Sequence, residues 1–389
     1  MKISAIIAEY NPFHTGHAHH IAATRAAGAD KVIVIMSGNF VQRGEPALLD
    51  KWTRTRMALH GGADLVLELP VFGVLSSAEG FARSAIAVLN GLGCVDTLSF
   101  GAEMPDLPSF SAIADVLTTQ PAEYRACLAQ RLAAGDSFPK ARSTALAAVL
   151  GEDAAAAASL PNNTLALEYL QALRHFDSPI RPLAIPRRSD YLAAQPAGKF
   201  ASALALRNSI HQGIDDWQAY VLPQDLALVK DPVREDALLQ PLLYCLRTAS
   251  PAQLSHIADM VEGLENRILQ AARSADSYTA LLDGIKTKRY PMARIKRILL
   301  HCLLGIDHAL VEKILQEPPY ARVLGVARGS TDLLSLLSHN SHIPVYTAPP
   351  RTDVPAGMAL DILASDLYAL ASDPIRKAGA DYTTPLIIE

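Results

Sequence analysis

The amino-acid sequence predicts an α/β fold: a parallel sheet with helices on both faces, followed by a mainly helical C-terminal domain. Three observations carry this expectation. Strand-length apolar runs alternate with helix-like stretches through the first 100 residues. Those runs lack polar alternation, as strands buried on both faces do. From about residue 195 helix-like segments dominate as far as about 316.

The elements follow in order. "KISAIIAE" (2–9) is the first strand and "HAHHIAATRAAGA" (17–29) the first helix. "KVIVIM" (31–36) is the second strand, followed by a polar loop, "SGNFVQRGEPA" (37–47). "KWTRTRMALHGGA" (51–63) reads as a helix ending in a Gly-Gly stop, and "DLVLELP" (64–70) as the third strand. A longer helix, "SSAEGFARSAIAVLNGLG" (76–93), leads to the fourth strand, "VDTLSFG" (95–101). Residues 105–180 are helical and rich in alanine, with "GEDAAAAASL" (151–160) a surface loop or frayed helix. "PIRPLAIPRR" (179–188) is an extended segment returning to the sheet, and the tail adds one or two short strands and a helix. Ligands of such sheets sit at the carboxyl ends of the strands, so the loops after 9, 36, 70 and 100 are the places to look.

Composition narrows the class. At 389 residues the chain exceeds one ordinary core, and half its residues are apolar. No stretch reaches the ~18 uninterrupted apolar residues of a membrane span. "MKISAIIAEYNPF" reads as a strand and not as an export signal. Cys94, Cys127, Cys245 and Cys302 are scattered, match no zinc spacing and suggest no disulfide framework, so a cytoplasmic setting is expected. A net charge of −4 argues against wholesale coating of nucleic acid but not against a local basic patch.

The chemistry concentrates in "EYNPFHTGHAHH" (9–20). His14-Thr15-Gly16-His17 follows the first strand and opens a helix, where backbone N–H groups and the helix dipole favour an anion. Gly16 permits close approach of the backbone. The two imidazoles can donate to phosphate oxygens as charge builds on a leaving group. Asn11 and Pro12 would hold the turn ahead of them. A metal site is the weaker reading, because no acidic or cysteine partner at ligand spacing accompanies the histidines, and no metal ligand is assigned. His19 and His20 on their own read as ordinary helix residues.

"EYNPFHTGH", "MSGNFVQRGEPALLDKWTRTRMAL", "GADLVLELP", "SFGAE", "PNNTLALEYLQAL" and "TKRYPMARIKRILLH" occur in this order between residue 2 and about 345. Together they resemble the bacterial tRNA(Met) cytidine acetate ligase family of the HxGH nucleotidylyltransferase superfamily. The resemblance implies a Rossmann-like nucleotidylyltransferase domain over 1–195 and a mainly helical, tRNA-contacting domain over 196–389. It implies ATP as co-substrate, acetate and elongator tRNA(Met) as partners, and transfer of acetyl through acetyl-adenylate to the wobble cytidine, giving N4-acetylcytidine. Mg2+ is expected to help neutralise the departing pyrophosphate.

Carried over by position, the family's ATP loop runs through Ile7, Ala8, Glu9, Tyr10, Asn11, Pro12, Phe13, His14, Thr15, Gly16, His17, Ala18, His19 and His20, with His14 and His17 catalytic. Gly101 matches a glycine that lets the nucleotide lie against the fourth strand. Asn162, or its neighbour Asn163, matches an ATP-contacting asparagine, and Arg187, or Arg188, an arginine at the nucleotide. In one place the pattern breaks. Relatives carry Ser-Ala-Thr-x-x-Arg where this chain reads "SALALR" (202–207), keeping Ser202 and Arg207 but placing Leu204 at the threonine. That change removes one hydroxyl donor.

Two basic stretches complete the reading. Gln42, Arg43, Glu45, Lys51, Arg54 and Arg56 form a loop and helix start that closes over substrate, or else a solvated helix face. "GIKTKRYPMARIKRILLH" (284–301) has no acidic residue; Arg294, Arg297 and His301 share one helical face, and Tyr290 could stack on a base. RNA contact is expected there. Asp64 and Glu68 read as cap or loop residues. Two rival functions stay open: another HxGH adenylyltransferase acting on a small metabolite, and a non-catalytic nucleotide- and RNA-binding protein.

Overall fold

The computed structural model describes residues 1–389 apart from 104, 187–194, 196, 197, 199 and 288, with the backbone alone at 161 and 162. Ten strands occur among the described residues: β1 (Ile3–Ala8), β2 (Lys31–Ser37), β3 (Phe40–Val41), β4 (Glu45–Pro46), β5 (Leu65–Leu69), β6 (Thr97–Ala102), β7 (Arg181–Pro186), β8 (Ala321–Val326), β9 (Val345–Tyr346) and β10 (Ile387–Ile388). The main sheet runs β10-β8-β5-β2-β1-β6-β7, with β9 on β8. Neighbours from β5 through β7 are all parallel. β1 pairs with β2 on one side and β6 on the other, so the order reverses there. A crevice at such a reversal is where open α/β sheets hold ligands.

The apolar runs form strands because both faces are covered. Ile3, Ala5, Ile33 and Ile35 pack with Phe81, Ala85 and Ile86 of the Ala78–Gly91 helix and Leu167 and Leu170 of the Pro161–His175 helix. Ile6, Val32, Val34 and Met36 face the other way, against Ile21 of α1 (Thr15–Ala26) and Met57 and Ala58 of α2 (Lys51–His60). Each fully buried large aliphatic contributes about 1.5–3 kcal/mol. Asp50 caps α2 by accepting from the Thr53 N–H at 2.8 Å.

The rest of the chain departs from the sequence expectation in four places. The 37–47 loop is largely buried and contains the antiparallel pair β3 and β4, with Phe40 fully covered. Residues 152–159 form a helix whose Ala155 and Ala157 are buried, so alanine there serves close packing. β8 pairs antiparallel with β5, Leu65 opposite Val326, and the two-residue β10 pairs with β8. Glu68 is a strand residue and not a cap; it is buried against Lys51.

The region after 195 is mainly helical. Leu246, Ile268, Leu281, Ile295 and Ile298 share one core, drawn from four helices that include Met292–Leu304. A further cluster joins Phe40, Val71 and Leu75, beyond the sheet's carboxyl ends, to Leu300, Leu304, Leu360 and Tyr368. The helical part therefore packs where the sheet's loops emerge. Among the described residues no helix is long and apolar enough to cross a membrane.

Candidate active site

A cleft of about 230 Å³ opens at the carboxyl end of β1, between β2 and β6. The end of β1 supplies Ile7, Ala8, Glu9, Tyr10 and Asn11; α1 supplies His17 and His20; β6 supplies Phe100 and Gly101. Gln42, Arg43 and Glu45 close one side, and Ala203, Leu204 and Arg207 of the Ala203–Gln212 helix close another. Phe81, Leu165 and Tyr169 add an apolar wall.

The two motif histidines build the start of α1. His14 is its N-cap: Nδ1 accepts the Gly16 N–H at 3.0 Å, and Nδ1 of His17 accepts the His14 N–H at 3.3 Å. The rings are tilted by 30° to each other, with centroids 3.8 Å apart. With both Nδ1 atoms accepting, the proton of each neutral ring sits on Nε2, which makes Nε2–H a donor. Gly16 has a reason beyond backbone approach to a ligand. A Cβ there would lie 2.8 Å from Cε1 of His14, so only glycine leaves room for the capping ring.

The chain ahead of the helix is strained and braced. Tyr10 has φ 49, a left-handed conformation unusual for a bulky side chain and costing about 1–3 kcal/mol. Its ring is buried, edge-on to Phe13 at 4.8 Å and tilted on His17 at 4.7 Å. Asn11 Oδ1 accepts the Leu48 N–H at 2.7 Å, while its carbonyl accepts from Arg207 Nη1 at 2.7 Å. His20 Nε2 lies 3.0 Å from Ser99 Oγ, tying α1 to β6. Ser202 caps the Ala203–Gln212 helix through the Ala205 N–H at 3.0 Å. Two helix N-termini thus border one cleft.

Two carboxylates and two guanidiniums set its electrostatics. Glu9 Oε1 accepts the Gln42 N–H at 2.7 Å. Burial pushes the Glu9 carboxyl above its ordinary range, against the pull of that N–H and of the Arg207 and Arg43 charges. Glu45 is held by Lys296 at 2.7 Å. Beneath them Arg54 is fully buried; it donates to the carbonyls of Leu49 (2.9 Å), Glu9 (2.6 Å), Ser37 (3.1 Å) and Gly38. An N–H-rich, cationic end beside an apolar wall is the division a nucleoside triphosphate requires.

A model of the HIGH Nucleotidyl Transferase family matches residues 1–382. The tRNA(Met) cytidine acetate ligase of Acetivibrio thermocellus is 37% identical over all of both chains, and that of Thermoanaerobacter sp. (strain X514) 38% over all of both. The chain belongs to the tRNA(Met) cytidine acetate ligase family. Apo TmcAL from Thermotoga maritima is similar in structure, with a TM-score of 0.93 at 31% identity, covering 100% of this chain and 99% of that one. TmcAL bound with alpha-thio ATP gives a TM-score of 0.90 at 31% identity, covering 100% of both.

Within this ligase-family frame, the residues singled out by sequence fall at different distances from the cleft. Ile7, Ala8, Glu9, Tyr10, Asn11, His17, His20 and Gly101 line the cleft; a Cβ on Gly101 would meet nothing within 4 Å. His14, Pro12 and Phe13 are buried next to it and shape the turn, and Thr15, Gly16 and Ala18 belong to the first turns of α1. His19 stacks on Phe200, ring centroids 5.1 Å apart. Asn162 opens the Pro161–His175 helix, with its side chain outside the described residues. The alternative, Asn163, is fully buried and engaged: Oδ1 accepts the Glu103 N–H at 3.1 Å and Nδ2 donates to the Ala157 carbonyl at 3.0 Å. Arg187 and Arg188 lie outside the described residues.

The basic stretches need correction. Lys51 and Arg54 are neither a solvated face nor cleft residues; both are fully buried. Lys51 Nζ donates to both Glu68 oxygens at 2.7 Å and to Asp381 Oδ1 at 2.8 Å. Burial draws its pKa down, but the two carboxylates outweigh that and raise it. Arg297 and His301 are also buried; His301 spans the carbonyls of Ala258 (3.0 Å) and Leu75 (2.9 Å). Arg289 is exposed, and it and Arg294 lie 5.5 and 5.6 Å from the Tyr290 ring. Phe81, Leu165 and Tyr169 escaped notice as cleft residues because their helical spacing reads as ordinary core.

Proposed function

We propose that this protein is an ATP-dependent acetate ligase that acetylates N4 of the wobble cytidine of elongator tRNA(Met). The observation that carries the reading is the His14-Gly16-His17 helix start bordering the cleft in a chain matching whole ligases end to end. Acetate attacks the α-phosphorus of ATP, forming a carboxylate–phosphorus bond and expelling pyrophosphate. The cytidine amine then attacks the acetyl carbonyl; the C–N bond forms, the C–O bond to AMP breaks, and the amine loses a proton.

His17 Nε2–H, the N-termini of α1 and of the Ala203–Gln212 helix, Arg43 and Arg207 bind phosphate oxygens and stabilise the charge of the departing pyrophosphate. His14 fixes the helix start and the orientation of His17. The apolar wall of Phe81, Phe100, Leu165 and Tyr169 takes the base. Asn162 and Arg187 add contacts to the nucleotide. Mg2+ arrives on the triphosphate as part of the substrate; among the described residues no group of three His, Cys, Asp or Glu stands ready to hold it. The exposed Arg289, with Tyr290 and Arg294, meets RNA on the helical region. The cytoplasm, where tRNA and ATP meet, is the proposed setting.

Incubating tRNA(Met) with the protein, ATP and labelled acetate tests this. Label is expected in N4-acetylcytidine at the wobble position. Transfer of AMP to a small metabolite would favour the adenylyltransferase reading, and absence of any turnover the binding protein.

A further inference from the structure

We propose that Lys296 and Arg297 are positioning residues for the nucleotide cleft, holding the Gln42–Glu45 turn and cancelling its negative charge from behind, and that they do not contact RNA. The inference rests on the ATP-binding reading above and deepens it.

By charge alone, residues 286–297 look like an RNA-binding strip. The last two cations turn the other way. Lys296 Nζ lies 2.7 Å from Glu45 Oε1 and also pairs with Glu235. Arg297 is 8% exposed and donates from Nη1 to the Gln42 carbonyl at 3.1 Å. Their backbone touches the same turn. Gly44 has φ +78, and a Cβ there would lie 2.5 Å from the Arg297 nitrogen and 2.7 Å from the Lys296 carbonyl carbon. A glycine is required twice over, by conformation and by space. Gln42, Arg43 and Glu45, the residues so held, line the cleft.

Electrostatics gives the contact a purpose. A cleft that takes a polyphosphate carries two carboxylates of its own, Glu9 and Glu45. One ammonium, itself largely withdrawn from water, sits between Glu45 and Glu235 and offsets one of their two negative charges. Removing it leaves a negative charge aimed at a negative ligand, in surroundings where screening is weak.

The test uses the full chain, α-thio ATP as probe in calorimetric titration, and tRNA filter binding. K296M is expected to weaken α-thio ATP by roughly tenfold or more while tRNA affinity stays within about twofold. Adding E45Q removes the uncancelled charge and should return the nucleotide Kd to within about threefold of the parent. K296R, which keeps the charge, should bind like the parent. R297K, which keeps charge but loses reach to the Gln42 carbonyl, should weaken the nucleotide by roughly fivefold. The inference is overturned if K296M leaves the nucleotide Kd unchanged, if E45Q gives no recovery, or if tRNA binding is what falls. Should K296M not fold, R297K decides alone: weaker tRNA with unchanged nucleotide binding contradicts the proposal. Nucleotide binding without acetyl transfer by the parent would sink the functional reading and leave this inference standing; no nucleotide binding would sink both.

Discussion

His14 and His17 divide their labour through one shared geometry. Each uses Nδ1 on a backbone N–H of the helix start, which leaves Nε2 to donate. His17 borders the cleft, so His17→Ala should cut acetyl-adenylate formation by about 10²–10³-fold, the loss seen when one aimed donor disappears. Single-turnover formation of the adenylate measures it, with circular dichroism to show the fold intact. His14→Ala should cost activity and also about 1 kcal/mol of stability, because the cap goes with it. Glu9 makes a pH prediction. Its folded pKa is raised, so the native state holds the proton more tightly than the unfolded chain does. Stability therefore falls as pH climbs from the ordinary carboxylate range through the raised value. Glu9→Gln keeps an oxygen for the Gln42 N–H and should flatten that decline in melting temperature above the ordinary carboxylate range.

At the scale of elements, α2 acts as a strut whose buried Lys51 and Arg54 hold neighbouring segments, while Arg56 faces outward. Arg54 satisfies four carbonyls at the ends of β1 and β2 and at the turn into α2. Arg54→Met orphans all four, and urea unfolding should show a loss of about 3–5 kcal/mol. Lys51→Met strands Glu68 and Asp381 together and belongs in the same range. Neither role was legible in the sequence. Asp50 followed by Lys51, Arg54 and Arg56 reads as a capped, solvated helix face, and a partner 330 residues away leaves no local trace. The same blindness touched Arg297 and His301, whose partners are backbone carbonyls at Gln42, Ala258 and Leu75. What the sequence does reveal are strands buried on both faces: β1, β2, β5 and β6 stand out as strand-length, predominantly apolar runs. β10, two residues long, carries too little pattern to be seen, and β8 looks like a strand with no hint that it joins β5.

For the whole molecule, the sheet reverses at β1, helices cover both faces, and the helical region closes over the loops at the strand ends. The position of the cleft was therefore readable from the alternation of strands and helices and the HxGH helix start, whereas its apolar wall was not. The exposed Arg289 supplies a separable readout. Arg289→Ala should weaken tRNA binding several-fold and lower its salt dependence, with adenylate formation unchanged. Acetate is proposed to be activated on ATP where β1 meets α1. Exchange of labelled pyrophosphate into ATP, with and without acetate, on the parent protein and on His17→Ala tests it most directly. Exchange is expected to require acetate and to collapse in the variant; exchange indifferent to acetate, or undiminished without His17, would contradict activation at this site.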